Sequence, residues 1–260
     1  LLFACFVVIA VLIASLATFI IMAYNYKSFR RNQILNEPSA FANMENIADS
    51  GHTLSVTIGN DIRKKVMEGS KIYLLSLDAL MHCRLTAIEE ANAKAIAMKE
   101  AVKFGRKQLF VNFAHVGDDV MDRSQYFIRA TDYLADFCNS LNQISSLTHT
   151  HILNNHKGLT VDQNHDLTDL VDEVTSFLNL LNYVHKERRF GQIPDLIRRQ
   201  NLLLNYIEEL RLKELRRIKH GEGHTRMNAL LMEILAETKN IMLFSINILK
   251  SHRDIMVSGD

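Results

Sequence analysis

"FIRATDYLADFCNSLNQI" (residues 127–144) sets the pattern from which the fold can be predicted. Its apolar residues recur at steps of 3, 4, 3, 4 and 3, at Phe127, Ala130, Leu134, Phe137, Leu141 and Ile144. Steps that alternate between three and four keep side chains on one face of an α-helix, and this seam is typical of antiparallel helical bundles. The stretch therefore predicts a long amphipathic helix that packs against neighbouring helices.

The same spacing returns in the next segment, at Leu167, Leu170, Val174, Phe177, Leu181 and Val184. Between the two seams, Thr160 and Gln163 have the S/T-x-x-E/Q spacing of a capping box, which predicts a helix that begins at Val161. Gly158 suits the left-handed position that follows a helix end. The last apolar segment has a wider stripe, which predicts the most buried helix of the bundle.

Residues that break helices are rare in this chain. Two prolines and ten glycines in 260 residues favour long helices and little sheet. We expect helices over residues 53–68, 74–110, 118–156, 161–189, about 194–219 and 225–255. Gly69 is expected to close the first helix, and a break near residues 145–150 is an open alternative in the third. The fold class is therefore all-α, an antiparallel bundle of about five to six long helices.

The N-terminal segment predicts a membrane span. Residues 1–24 carry no charge, and this length exceeds the roughly 20 residues that cross a hydrocarbon core. Lys27, Arg30 and Arg31 follow the apolar run, which places that side in the cytoplasm by the positive-inside rule. A secretory signal peptide would carry its basic residues before a shorter run. A buried core helix is the alternative.

The domain organisation follows from this segment. The chain starts at Leu1, inside the apolar run and without Met, so we expect that an upstream part has been lost. We predict a transmembrane helix with a basic cytoplasmic flank at residues 1–33, a connector at 34–52 and a helical-bundle domain at 53–260.

Two D-x-x-x-D pairs on the third helix are the candidate metal ligands. Asp118, Asp122, Asp132 and Asp136 lie on one face, opposite the apolar seam. Carboxylates four residues apart on a helix can share a divalent cation through their oxygens. The alternative is a solvated helix face, since Arg129 lies between the pairs.

Two further polar runs have simpler interpretations. "THTHILNNHKG" (residues 148–158) contains three histidines, but no Cys or Glu completes a zinc-site spacing, so we expect it to close a helix–helix corner. "RLKELRRIKHGEGHTR" (residues 211–226) is basic and could contact lipid headgroups or an acidic partner.

Catalytic and nucleic-acid functions lack support in the sequence. A net charge of +1 gives no field that would attract nucleic acid. The chain contains no GxxxxGK[ST], GxGxxG, GxSxG or HExxH motif. We therefore expect a protein that is not an enzyme.

Two stretches resemble the C-terminal region of bacterial inorganic phosphate transporters of the PiT family. The first is "SQYFIRATDYLADFCNSLNQISSLTHTHILNNHKGL" (residues 124–159), and its Asn154–Leu159 run carries much of the likeness. The second is "RIKHGEGHTRMNALLMEILAETKNIMLFSINILKSHRD" (residues 217–254), including Glu237–Asn240, Leu249 and Lys250. The resemblance is best over about residues 118–260.

The resemblance implies a PhoU-like cytoplasmic domain that follows the last span of a multi-pass inner-membrane protein. It also implies cation-coupled phosphate transport, with Na⁺ or H⁺ as the coupling ion. The family's G-A-N-D motif is absent here, so the phosphate-binding residues are expected in upstream spans. The expected partners are the lipid bilayer, inorganic phosphate bound by the full-length protein, and a second copy in a homo-oligomer. The alternative is a single-span signalling or scaffold protein.

Overall fold

The computed structural model describes the backbone of residues 51–113 and 118–257, and the side chains of residues 56–111 and 124–257. Within these ranges the chain forms six α-helices and no strand. The helices are α1 (Gly51–Met81), α2 (Leu85–Phe113), α3 (Asp118–Leu153), α4 (Val161–Lys186), α5 (Ile193–Lys219) and α6 (Thr225–Val257), with a 3₁₀ turn (Phe190–Gln192) before α5. The predicted all-α helical bundle is confirmed.

The helices form a central group of four with one helix on each side. In the centre, α1 packs against α3 and α4, and α6 packs against the same two helices. Helix α2 lies against α1 and α3, whereas α5 lies against α4 and α6. The turns at residues 82–84, 154–160 and 220–224 lie together at one end of the bundle, which we call the three-turn end. The turn at residues 187–192 lies at the opposite end.

Both predicted seams form the core. All twelve seam residues of α3 and α4 are buried. Burial of apolar surface contributes about 25 cal/mol per Å² to stability, so these seams supply much of the free energy that holds the bundle together. Helix α6 contacts four other helices, in agreement with its wide apolar stripe.

Gly69 does not end the first helix, and that prediction was wrong. Helix α1 continues for twelve residues beyond it, to Met81. A Cβ atom at position 69 would lie 2.4 Å from Phe137 Cε1 and 2.7 Å from Leu141 Cδ1 on α3. The glycine is therefore needed for the close approach of two helices, and an isolated glycine does not break a helix that packing stabilises.

The predicted helix over residues 74–110 is in fact divided between α1 and α2. The division falls at His82–Arg84, where Cys83 adopts a left-handed conformation with φ 51°. The left-handed residue after α3 is likewise Asn155, with φ 51°, and not Gly158. Asparagine tolerates this conformation better than most residues with a side chain. Gly158 instead lies close to the α1–α2 turn.

The open alternative of a break near residues 145–150 is not observed. Helix α3 runs without interruption to Leu153. Inside it, the Ser145 hydroxyl donates a hydrogen bond to the Leu141 carbonyl at 2.9 Å, and the Thr150 hydroxyl donates to the Ser146 carbonyl at 2.9 Å. Hydroxyls that bond to the preceding turn in this way are accommodated within a helix.

The starts of the last three helices agree with the sequence, whereas the third and fourth helices end three residues before the predicted positions, at Leu153 and Lys186. The Thr160–Gln163 capping box forms in full, and α4 begins at Val161. Pro194 lies in the first turn of α5, where its missing N–H has no cost. Helix α6 begins at Thr225 as expected.

The predicted membrane segment lies elsewhere in the chain. None of the helices within residues 51–113 and 118–257 has the length and apolar character of a membrane span. The predicted transmembrane helix at residues 1–33, with Lys27, Arg30 and Arg31, lies outside the described residues, as does the connector up to residue 50.

Candidate functional site

The described carboxylates of the predicted metal site lie on the side of α3 that faces α2. An Asp132 carboxylate oxygen is 2.7 Å from Arg106 Nη2 on α2, and both side chains are partly exposed. Partial burial, with the neighbouring charge of Asp132, raises the pKa of Asp136, although Arg106 acts in the opposite direction. The side chains of Asp118 and Asp122 lie outside those described.

A metal site on α3 therefore stays a prediction. Among the described residues, no group of three His, Cys, Asp or Glu side chains is placed to hold a metal ion. Asp132 already has a cationic partner in Arg106, and this ion pair would compete with a metal for the carboxylate.

A densely bonded polar cluster lies at the three-turn end, where α4 and α6 begin and α5 ends. We call it the polar corner. It comprises Thr160, Gln163, Asp166, Lys213, Glu214, Arg217 and Asn228.

Gln163 joins three helices within the polar corner. Its backbone N–H donates to Thr160 Oγ1 at 3.3 Å, and its Oε1 accepts from the Thr160 N–H at 3.0 Å. Its Nε2 donates to Glu214 Oε1 on α5 and to Asn228 Oδ1 on α6, each at 2.9 Å. The capping residue predicted from sequence is thus also a tertiary link, which local spacing does not reveal.

The polar corner contains equal numbers of positive and negative side chains. Buried Glu214 accepts from Arg217 Nη1 at 3.1 Å, and Arg217 Nη2 donates to Asp166 Oδ2 at 2.6 Å. Lys213 Nζ donates to Asp166 Oδ1 at 2.6 Å. Partial burial acts to raise the pKa of Asp166, but the hydrogen bonds from Lys213 and Arg217 outweigh it and hold the pKa below its usual value. Two carboxylates therefore face two cations.

A small cavity adjoins these charges. It is lined by Gln163, Asp166, Glu214, Arg217 and several leucines, and its volume is about 20 Å³. A buried water needs roughly 10–15 Å³ measured in this way, so the cavity has room for about one water molecule. The arrangement suits a structural junction of three helices and leaves no space for an organic substrate.

The histidine run at the end of α3 closes a corner, as expected. His151 Nε2 donates to the Lys157 carbonyl at 3.0 Å, and the ring stacks edge-on against His156 at 5.3 Å. Burial lowers the pKa of His151, so the imidazole is neutral at pH 7. Arg226 at the start of α6 contacts His156, with Nη1 2.8 Å from Nε2.

A second buried cluster, at the opposite end, is the pair formed by His185 on α4 and His252 on α6. We call it the histidine pair. The ring centroids are 4.5 Å apart, and the residues are only 2% and 4% exposed. None of the four ring nitrogens has a hydrogen-bond partner among the described residues. A Cβ atom on Gly59 of α1 would lie 1.9 Å from His252 Nε2, so this ring packs directly on the α1 backbone.

The surroundings of the histidine pair lower the pKa of both rings, so both are neutral at pH 7. Burial, followed by the neighbouring His252 and the charge of Arg63, lowers the pKa of His185 well below 6.5. Burial and the charge of Arg188 lower the pKa of His252 to about 4. A metal held linearly between two imidazoles, with metal–nitrogen distances of about 2.0 Å, would place the centroids roughly 6 Å apart. The observed separation is too short for such an ion.

The histidine pair was not predicted, although the sequence contains a signal for it. His185 continues an apolar stripe through Leu178 and Leu181, and His252 continues one through Ile248 and Leu249. A histidine at a stripe position is expected to be buried. That two such residues meet depends on the packing of α4 against α6, which no local spacing encodes.

Comparison with known proteins adds no assignment. A search of protein-family models found no match to this chain, and a search of curated proteins found none.

Proposed function

We propose that this chain is the C-terminal part of an integral membrane transporter of inorganic phosphate, with a helical domain that has a regulatory or structural role. The observation that carries the proposal is the order of three features along the chain. An uncharged stretch at residues 1–24 comes first, followed by Lys27, Arg30 and Arg31, and then by the six-helix domain. An apolar run with cations on one side is the expected form of a last span with a cytoplasmic exit.

The residues that carry the family resemblance support this proposal. Asn155 adopts the left-handed conformation that the turn after α3 requires. The Lys157 carbonyl accepts the hydrogen bond from His151. In α6, the Thr238 hydroxyl lies 3.2 Å from the buried Tyr73 hydroxyl of α1. The likeness therefore falls on positions that close turns and join helices, as expected if the domain shares a fold with those transporters.

The polar chemistry of the described domain favours a non-catalytic role. In the polar corner each charged group is bonded to another group of the same corner, and the adjoining cavity has room for about one water. We propose that phosphate and its coupling ion, Na⁺ or H⁺, bind in upstream spans and that the domain stabilises or regulates them.

The reading frame upstream of Leu1 is the cheapest test. The transporter proposal expects many apolar spans there, with G-A-N-D motifs. A start codon immediately before Leu1 would contradict it and would favour the single-span signalling or scaffold protein.

Phosphate uptake tests the activity itself. The full-length protein in proteoliposomes should accumulate labelled phosphate when a Na⁺ or H⁺ gradient is imposed. The gradient that drives uptake identifies the coupling ion. Deletion of residues 25–260 should change the rate or the yield of folded transporter. Absence of uptake under both gradients would contradict the proposal.

The side of the membrane on which the helical domain lies can be tested by labelling Cys83. Cys83 is exposed, whereas Cys138 is buried. A membrane-impermeant maleimide should label Cys83 only after intact cells are permeabilised. The Cys83→Ser variant is the control for labelling elsewhere. Labelling of Cys83 in intact cells would place the domain outside and contradict the proposal.

A further inference from the structure

The outward face of α5 presents apolar side chains to solvent near its C-terminal end. Helix α5 packs mainly against α4 and α6, and this leaves one side of it uncovered by other described helices. Leu212, Leu215 and Ile218 lie on this side, each with nearly half of its surface exposed. Three large apolar residues within two turns form a patch that a solvated helix would not require.

Cations are interspersed with these apolar residues. Arg216 and Lys219 are exposed and form no ion pair within the described part of the chain. The neighbouring Lys213 and Arg217 instead turn towards Asp166 in the polar corner. The structure thus divides the basic run into cations that hold the bundle and cations that remain available to a partner.

We propose that this surface, which we call the α5 face (Leu212, Leu215, Arg216, Ile218 and Lys219), docks on the headgroup region of an anionic lipid bilayer. Apolar residues alternating with Lys and Arg suit a helix at the interface, where the apolar side chains enter the acyl boundary and the cations meet lipid phosphates. Cations near such a surface are attracted by its negative potential. The inference rests on the proposed function only in that a membrane span would keep the domain near a bilayer.

The absence of tryptophan from the sequence permits a direct test. The Leu215→Trp variant of the full chain carries a single fluorescent reporter on the α5 face. It would be reconstituted into vesicles containing brominated phospholipid, with either anionic or zwitterionic headgroups. We expect bromine to quench the fluorescence at least twofold in anionic vesicles and much less in zwitterionic ones.

Ile96→Trp is the matched control. Ile96 is 48% exposed and Leu215 is 49% exposed, but Ile96 lies on α2, on the other side of the central helices. Its fluorescence should be quenched little in either vesicle. Equal quenching of both reporters would overturn the proposal, because it would show that the domain lies near the bilayer without docking through the α5 face.

Charge reversal separates lipid docking from other causes. Arg216→Glu combined with Lys219→Glu should abolish the quenching of the Leu215→Trp reporter, as should 0.5 M salt. Arg198→Glu, in the first turns of the same helix, should leave it unchanged. Equal quenching in anionic and zwitterionic vesicles, or quenching that persists after charge reversal, would overturn the proposal. These measurements use this chain alone, so failure of the transporter assignment would not affect them.

Discussion

The polar corner and the histidine pair both bury polar groups, at opposite ends of the same two helices, α4 and α6. They differ in whether the buried polar atoms have hydrogen-bond partners. In the polar corner, Gln163, Glu214 and Arg217 are all bonded to partners within the cluster. In the histidine pair, the ring nitrogens of His185 and His252 lack partners among the described residues.

The difference shows two ways in which a helical bundle tolerates buried polarity. Charges are tolerated when hydrogen bonds and opposite charges replace water, and then the loss of one partner strands the other. Buried imidazoles are tolerated because they remain neutral, and the fold is then destabilised when acid protonates them. The first cluster should be sensitive to mutation and the second to pH.

Glu214→Ala should have the largest effect. It removes the buried carboxylate that accepts from Arg217 Nη1 and from Gln163 Nε2, so that Arg217 keeps only Asp166 and Gln163 Nε2 keeps only Asn228. Breaking a buried ion pair typically costs about 3–5 kcal/mol. Urea unfolding of the full chain in detergent, followed by far-UV circular dichroism, measures the loss in the free energy of unfolding. Glu209→Ala, at an exposed position five residues earlier, should change stability by less than about 0.5 kcal/mol. A loss below about 1 kcal/mol for Glu214→Ala would show that the polar corner contributes little.

Acidification should destabilise the protein through the histidine pair. Both folded pKa values lie below 6.5, so the unfolded chain takes up protons more readily than the folded one. The contribution of the histidine pair to the free energy of unfolding is therefore complete above about pH 6.5 and falls as the pH drops towards 4, by about 3 kcal/mol for His252 alone. The polar corner should respond later, since the pKa of Asp166 is lowered from 3.8 and its contribution is lost only below that pH.

Urea midpoints at pH 7.5 and pH 5 would test this order. The double variant His185→Leu/His252→Leu should lose most of the difference between the two pH values. His220→Leu, at an exposed position, should retain it. An unchanged difference in the double variant would assign the pH response to other groups.

Gly59→Ala should reveal how tightly the histidine pair is held. The added Cβ would overlap the His252 ring, because their separation would be 1.9 Å. Overpacking of this kind costs about 1–3 kcal/mol. Gly191→Ala is the matched control, since nothing lies within 4 Å of its added Cβ. Equal thermal midpoints for the two variants would indicate that the ring moves aside without cost.

Thr160→Ala should have the smallest effect, because it removes only the cap from the polar corner. The Gln163 N–H loses its acceptor, and loss of such a cap typically costs about 1 kcal/mol. Thr150→Ala, whose hydroxyl bonds within α3, should cost less than about 0.5 kcal/mol. A loss for Thr160→Ala as large as that for Glu214→Ala would mean that the cap orders the whole corner.

The seams and the Thr160 cap could be predicted because their determinants are local. The seam residues repeat with the helix period, and Thr160 and Gln163 interact across one turn. Gly69 was misread as a stop because its role depends on Phe137, 68 positions later in the chain. The α1–α2 turn carries no Gly or Pro, so nothing in its composition marks it.

The functional clusters were only partly predictable, for the same reason. The basic run was recognised, but its division between Arg217, which bonds to Asp166, and the outward Arg216 depends on how α4 and α5 pack. The histidine pair needs two positions 67 residues apart to meet. The stripe position of each histidine predicts its burial, but it does not identify the other histidine as its neighbour.

Helix α4 contributes Gln163 near its start and His185 near its end, so its two ends are held by different chemistry. In mildly acidic solvent, amide hydrogens near Gly59 and His185 should exchange with deuterium before those around Gln163. The bundle would then open from one end only, with the last turns of α4 fraying while its first turn remains protected.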